Sequence, residues 1–150
     1  MRVVLVDDYP IVRASICREL QAAGIEVVGE AGDGEEALSL VERLQPDVLV
    51  LDVEMPKLNG VEVARYLRAT GRLRDNRLHI LALSAYNTDS YVQGLLDAGA
   101  TGYVLKDEAL ETIVAAVQSA ARGQPWFSPS VLTRRDGPSL GVQTCYSYGG

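Results

Sequence analysis

The 150-residue chain is poor in cysteine: it has only Cys17 and Cys145, far apart and without the close spacing of metal ligands. That argues against a cysteine-built zinc site. Two free thiols in a reducing compartment is the simplest reading, with one disulfide as the alternative. Cys17 falls in an apolar-periodic stretch and reads as a small buried side chain. No apolar run reaches the ~18 residues of a membrane span, so none is expected. The N-terminus lacks the charged start, apolar stretch and cleavage site of a secretory signal, which makes the cytoplasm the expected location. A basic face is also lacking. The net charge is −6, which disfavours sequence-independent nucleic-acid binding. No G-x-x-x-x-G-K-[ST] loop occurs, which disfavours a nucleoside triphosphatase, and no G-x-G-x-x-G follows the first apolar run, which disfavours a dinucleotide enzyme. No internal repeat is present.

What is there is 47% hydrophobic and 23% charged, enough for one ordinary domain with a core. Short apolar runs alternate with amphipathic segments of helix length. Val3–Val6 is a β-branched run suited to a strand buried on both faces. Pro10 opens a helix marked by Ile11, Val12, Ile16 and Leu20 that ends near Gly24. Ile25–Gly29 reads as a second strand. Asp33 caps a second helix, with Glu35 and Glu36 at its positive end, and Pro46 ends it. Asp47–Leu51 is the third strand. A loop leads to a third helix through Val63, Ala64 and Leu67. Leu78–Leu83 and Thr101–Leu105 are the fourth and fifth strands, and residues about 88–98 and 107–122 the last two helices. Five strand–helix alternations call for an α/β fold, a parallel sheet doubly wound with helices on both faces. After Gly123 the pattern stops. Residues 124–150 read as linker and tail, where Trp126 and Phe127 are the pair apolar enough to pack back.

In such a sheet, ligands bind at the carboxyl ends of the strands. The first strand ends in Asp7 and Asp8, the third in Asp52, the fourth in Ser84 and the fifth in Lys106, so all five groups are expected on one edge. Three carboxylates brought together stay ionised if a hard divalent cation sits among them, and Mg²⁺ suits oxygen ligands of this kind. An Asp carboxylate is an accepted nucleophile toward phosphorus. The Lys106 ammonium pairs with Asp52 or with a phosphate oxygen, and the Ser84 hydroxyl donates to a phosphoryl oxygen. Each piece has a plainer explanation: Asp7-Asp8 as a helix cap, Asp52 as a turn cap, Ser84 as an ordinary strand-end serine, Lys106-Asp107 as a solvated loop with Asp107 capping the last helix. Their convergence on four strand ends of five favours the chemistry.

The stretches VLVDDYPIVR (4–13), AGDGEEAL (31–38), PDVLVLDVEMPKLNGVEV (46–63), ILALSAY (80–86) and DAGATGYVLKDEAL (97–110) resemble the receiver (CheY-like) domains of two-component response regulators over residues 1–123. DDYP and AGATGYVLKD look like the NarL/LuxR-type branch. The resemblance implies a flavodoxin-like sheet of five strands in the order 2-1-3-4-5 with five helices. It implies Asp52 as phosphoacceptor, with Mg²⁺ held by Asp8, Asp52 and the backbone carbonyl of Glu54, and Asp7 supporting through a water or a more remote contact. Ser84 and Lys106 bind the phosphoryl group, and Tyr103 is an aromatic switch turning inward as Ser84 moves. Ordinary strand packing is the other account of Tyr103. Glu54 and Tyr86 flank the path of attacking water and tune the phosphoryl lifetime. The implied partner is a sensor histidine kinase, and the implied role is a signalling switch with weak self-catalysed phosphoryl transfer, not a true enzyme, controlling transcription. A homodimer through the first and fifth helices is expected. DNA would be met only through a helix-turn-helix output domain, for which residues 134–150 are too short and too poor in apolar periodicity. A haloacid-dehalogenase-type phosphatase would need Asp-x-Asp after the first strand, where Asp7-Asp8-Tyr9 stands. A pseudo-receiver would lack the acids, Ser84 or Lys106, all present.

Overall fold

The computed structural model of the chain describes residues 1–55, 57–71, 77–85 and 89–127, and for 89–92 the backbone alone. Tyr86, Cys145 and the tail from 128 onward lie outside the described residues. The elements run β1 (Arg2–Val6), α1 (Pro10–Ala22), β2 (Glu26–Ala31), α2 (Gly34–Leu44), β3 (Val48–Asp52), α3 (Gly60–Ala69), β4 (His79–Ser84), α4 (Asp89–Asp97), β5 (Gly102–Leu105), α5 (Leu110–Ala121) and β6 (Trp126–Phe127). All strand pairs are parallel, in the order β2-β1-β3-β4-β5-β6. The order 2-1-3-4-5 is therefore as expected, with one strand more.

That sixth strand pairs Gly102 with Trp126 and Tyr103 with Phe127. Two residues are too short for a periodic signal, so the sequence marks them only as apolar. Their pairing covers part of the β5 edge that would otherwise expose backbone donors and acceptors. A second difference concerns α5. Its N-cap is Ala109, without a side-chain hydrogen bond, so Asp107 does not cap it.

Side chains alternate along each strand and divide the interior into two cores. Val4, Val6, Leu49, Leu51, Ile80 and Ala82 face α2, α3 and α4 through Leu40, Val63, Leu67 and Leu95. Val3, Leu5, Val48, Val50, Leu81 and Leu83 face α1 and α5 through Ile16, Leu20, Ile113 and Val117. Val48–Leu51 is wholly buried, which is why β3 reads as an unbroken apolar run. Burying each such side chain contributes about 1.5–3 kcal/mol.

Helix caps fix where the loops leave the sheet. Asp33 accepts a hydrogen bond from the Glu36 backbone N–H at 2.9 Å. That bond, helped by Lys57, holds its carboxyl below the usual range despite the opposing effect of desolvation. Asn59 and Glu62 form a reciprocal capping box on α3. Immediately after this cap the chain presses on the site, for a Cβ at Gly60 would lie 2.7 Å from the Asp52 carbonyl oxygen. Gly60→Ala is therefore expected to destabilise the fold by about 1–3 kcal/mol, measured by urea unfolding, and to slow any reaction at Asp52. An alanine variant as stable and as reactive as the wild type would contradict this close approach.

Candidate functional site

β1 and β3 lie side by side, and the connections leave them in opposite directions, to β2 and to β4. A crevice opens at such a reversal, beyond the carboxyl ends of the strands. Asp7 and Asp52 stand at those two ends and are fully buried, and Asp8 is half-buried beside them. One carboxylate oxygen of each lies within 4.8 Å of the others. Backbone bonds tie the neighbouring strand ends to the same edge: Val53 N–H donates to Leu83 O at 2.9 Å, and Lys106 N–H to Ser84 O at 2.8 Å.

The Lys106 side chain, 12% exposed, enters this cluster. Its ammonium donates to Asp52 Oδ2 at 2.9 Å and stands 2.9 Å from Asp7 Oδ2. The second contact is an ion pair without the alignment of a directed hydrogen bond. Its Nζ also lies 5.3 Å from the centre of the Tyr9 ring, within range of a cation–π contact. The other Asp52 oxygen, Oδ1, accepts from the Glu54 N–H at 3.2 Å, and Asp7 Oδ1 accepts from the Tyr9 N–H at 2.8 Å. Two turns thus orient the two buried carboxylates.

One lysine does not balance three acids. Burial pushes the Asp52 carboxyl up to about 7; Lys106 opposes the rise, and Asp7 and Asp8 add to it. Burial pulls the Lys106 ammonium down, yet its hydrogen bond to Asp52 and its ion pair with Asp7 prevail and leave its pKa raised. The cluster therefore has negative charge to spare. It also has a free ligand atom, since Asp8 Oδ1 is buried without a hydrogen-bond partner. Carboxylate oxygens in this number and an unsatisfied buried one fit a hard cation of the Mg²⁺ kind.

Ser84 and Glu54 meet directly. The serine hydroxyl donates to Glu54 Oε2 at 2.9 Å, a pairing that the sequence does not suggest because Ser84 ends β4 and Glu54 lies thirty residues earlier in the loop after β3. Tyr103 is fully buried among Leu95, Ala98 and Leu105. That is the inward placement which the resemblance attaches to the switched form, and strand packing accounts for it equally well. Sequence pattern assigns no role to Tyr9 or Arg13. The only signal for them was position, one at the residue after the acid pair and one in the first turn of α1. The opposite edge of the sheet holds a cavity of about 610 Å³ lined by Arg77 and His79 among others, with Asp47 the one acid among the described residues that line it.

A doubly wound parallel sheet with its buried acids and one answering lysine at the carboxyl edge defines an α/β protein whose chemistry belongs at the β1/β3 switch point. The comparisons narrow the class. Residues 3–118 match the response regulator receiver domain, and the chain belongs to that family, in its NarL/LuxR type. It is 38% identical over 132 residues to the transcriptional regulatory protein DegU of Brevibacillus brevis, covering 87% of this chain and 54% of that protein. The chain thus spans about half the length of that relative. The signal receiver domain of the putative response regulator NarL from Mycobacterium tuberculosis superposes with a TM-score of 0.76 at 39% identity, covering 82% of this chain and 97% of that one. A structure of two RcsB dimers bound to two parallel DNAs gives a TM-score of 0.76 at 28% identity, covering 89% of this chain and 66% of that one.

Proposed function

We propose that this receiver domain is a phosphorylation switch in which Asp52 accepts a phosphoryl group from a sensor histidine kinase or a small phosphodonor. The observation that carries the reading is a fully buried carboxylate at a strand end, bonded to Lys106 and backed by two further acids. A carboxylate oxygen of Asp52 forms the new bond to phosphorus. The bond from phosphorus to the donor breaks, and the donor leaves with the electron pair.

Asp7, Asp8, Asp52 and the backbone carbonyl of Glu54 are the groups that would hold Mg²⁺. Bound there, Mg²⁺ supplies charge neutralisation for the carboxylates and the incoming oxygens. Lys106 already sits between Asp7 and Asp52, placed to pair with a phosphoryl oxygen without moving far. Ser84 is to donate its hydroxyl to another oxygen, and for this it must leave Glu54. Tyr103 and the face around β5 then report the change of conformer to an output, transcription in this reading. Tyr86 and the Glu54 side chain tune the phosphoryl lifetime.

Cytoplasmic placement belongs to the same proposal; among the described residues no helix is long and apolar enough to cross a membrane. So does a homodimer through α1 and α5, where Ile11 stands 83% exposed. DNA contact would come through an output domain; RcsB, a structural relative, is bound to DNA as dimers.

The test is intact mass after incubation with acetyl phosphate and Mg²⁺. One phosphoryl group should be gained, and lost both in Asp52→Asn and with EDTA. No gain, where another receiver is labelled, would leave an interaction domain with a dead site. The Ser84–Glu54 bond adds a second expectation. A hydrogen bond to a charged group is worth about 1.5–3 kcal/mol, and roughly 1 kcal/mol for a pair partly open to water. Glu54→Ala should therefore take up phosphoryl groups about fivefold faster. A rate equal to the wild type would show that Ser84 is released without cost.

A further inference from the structure

We infer that Arg13, outside the acid cluster, is the positioning residue of the cation site: its guanidinium fastens the Asp7 carbonyl and so sets the place of Asp8. The inference rests on the reading that these acids hold Mg²⁺. Arg13 lies in the first turn of α1, its own N–H bonded to Tyr9 O at 2.9 Å. Its Nη1 donates to Asp7 O at 2.7 Å and more weakly to Ala31 O at 3.4 Å, and its Nε donates to Glu30 Oε1 at 3.2 Å. One planar fork thus joins α1 to the ends of both β1 and β2, a reach that suits arginine and that a point-charged lysine matches only in part.

The Asp7 carbonyl is not an arbitrary acceptor, because it belongs to the peptide unit that carries the Asp8 N–H. That unit is planar, so fixing its oxygen fixes the direction in which Asp8 leaves β1. The preceding peptide unit is held as well, for the Asp7 N–H donates to Ala31 O at 3.0 Å, so the chain enters the Asp7–Asp8 unit from a fixed point. Asp8 Oδ1 is buried and unpartnered, and the side-chain contact that Asp8 does make is to Asp52, itself a member of the cluster. Its aim therefore depends on the backbone behind it. Arg13 is the side chain that holds that backbone, with 24% of its surface exposed, so its bonds are partly shielded from water.

Charge and position predict opposite results. Arg13 is a cation near an acidic cluster, so on charge alone its removal strengthens binding of a divalent cation. If it positions Asp8, removal weakens binding, and losing a partner one step behind a metal ligand typically costs about 10–100-fold in affinity. The opposite signs separate the two roles.

The experiment titrates the full chain with Mn²⁺, reading free ion by electron paramagnetic resonance at a temperature where melting in EDTA shows each variant folded. Arg13→Ala should bind Mn²⁺ about tenfold more weakly than the wild type. Arg13→Lys, which still donates to one carbonyl, should recover most of the loss. Glu30→Gln, which removes the surface ion pair and keeps the carbonyl bonds, should bind within about twofold of the wild type. Equal or tighter binding by Arg13→Ala overturns the inference. Should Arg13→Ala not fold, Arg13→Lys decides, with a weakening of a few fold expected and unchanged affinity overturning it. Asp8→Asn separates the two levels: if it binds as tightly as the wild type, the cation reading itself fails, whereas weak binding there with unchanged binding in Arg13→Ala defeats the positioning role alone.

Discussion

Lys106→Met will destabilise the protein by about 3 kcal/mol in EDTA at pH 8, measured by urea unfolding. The ammonium stands 2.9 Å from both Asp7 and Asp52, and both carboxylates are fully buried. Methionine fills much of the same volume, so the cost is chiefly electrostatic: two buried acids lose their one cation. Removing one partner of a buried pair leaves a charge that water no longer solvates, and that penalty exceeds what the pair contributes when complete. Two further results follow from the same cause. Lowering the pH to 6 should return part of the loss, because Asp52 takes up a proton more readily without the lysine. Adding Mg²⁺ should return more, because a divalent ion at the acids replaces the missing charge. A cost below about 1 kcal/mol, or no recovery with Mg²⁺, would mean that the acids are better solvated than their burial indicates.

Asp52→Asn should abolish phosphoryl uptake and, in EDTA, stabilise the fold above neutral pH. The sign follows from the raised pKa. Asp52 is pushed from 3.8 up to about 7 by burial, against Lys106 and with Asp7 and Asp8. A carboxyl with a raised pKa holds a proton in the folded protein that the unfolded chain has already released. Its contribution is intact below about pH 4 and is lost as the pH rises through 7, where folding demands a buried third charge. Asparagine has no such charge and loses nothing over that range. The two proteins should therefore match near pH 4 and diverge by on the order of 4 kcal/mol at pH 8. Mg²⁺ should close the gap, since it favours ionised Asp52. Urea unfolding at several pH values checks this; parallel curves for the two proteins would show that Asp52 is ionised throughout.

Much of this site is legible in the sequence because a parallel sheet turns position along the chain into position in space. Val3–Val6 and Val48–Leu51 are apolar without interruption, so both must be strands buried on two faces. Once five such strands run parallel, the residue after each one stands on a common edge, and Asp7, Asp8, Asp52, Ser84 and Lys106 come together by topology alone. Asp33 as a helix cap, Pro46 as a stop and Cys17 as a buried thiol are equally local matters. Burial followed by the nearby Glu30 carboxylate raises the Cys17 pKa, which fits an inert thiol.

What the sequence left open depends on reach and rotamer across elements. It placed Lys106 at the edge, but only the twist of the packed sheet decides that the ammonium bridges Asp7 and Asp52 together. It set Glu54 in the loop after β3 and Ser84 at the end of β4, and their contact exists because those two strands pair side by side and end on the same edge. The two-residue strand β6, the absent Asp107 cap and the reach of Arg13 to the Asp7 carbonyl were likewise out of view. Periodicity reports which face of an element is apolar; it carries no term for the few ångströms between side chains of different elements. The sequence by itself determined the layering, the edge and the chemical groups gathered there, because burial and strand direction are properties of local patterns. The tertiary structure decided which group touches which, because those distances are set by how helices and loops pack against a sheet that is already formed.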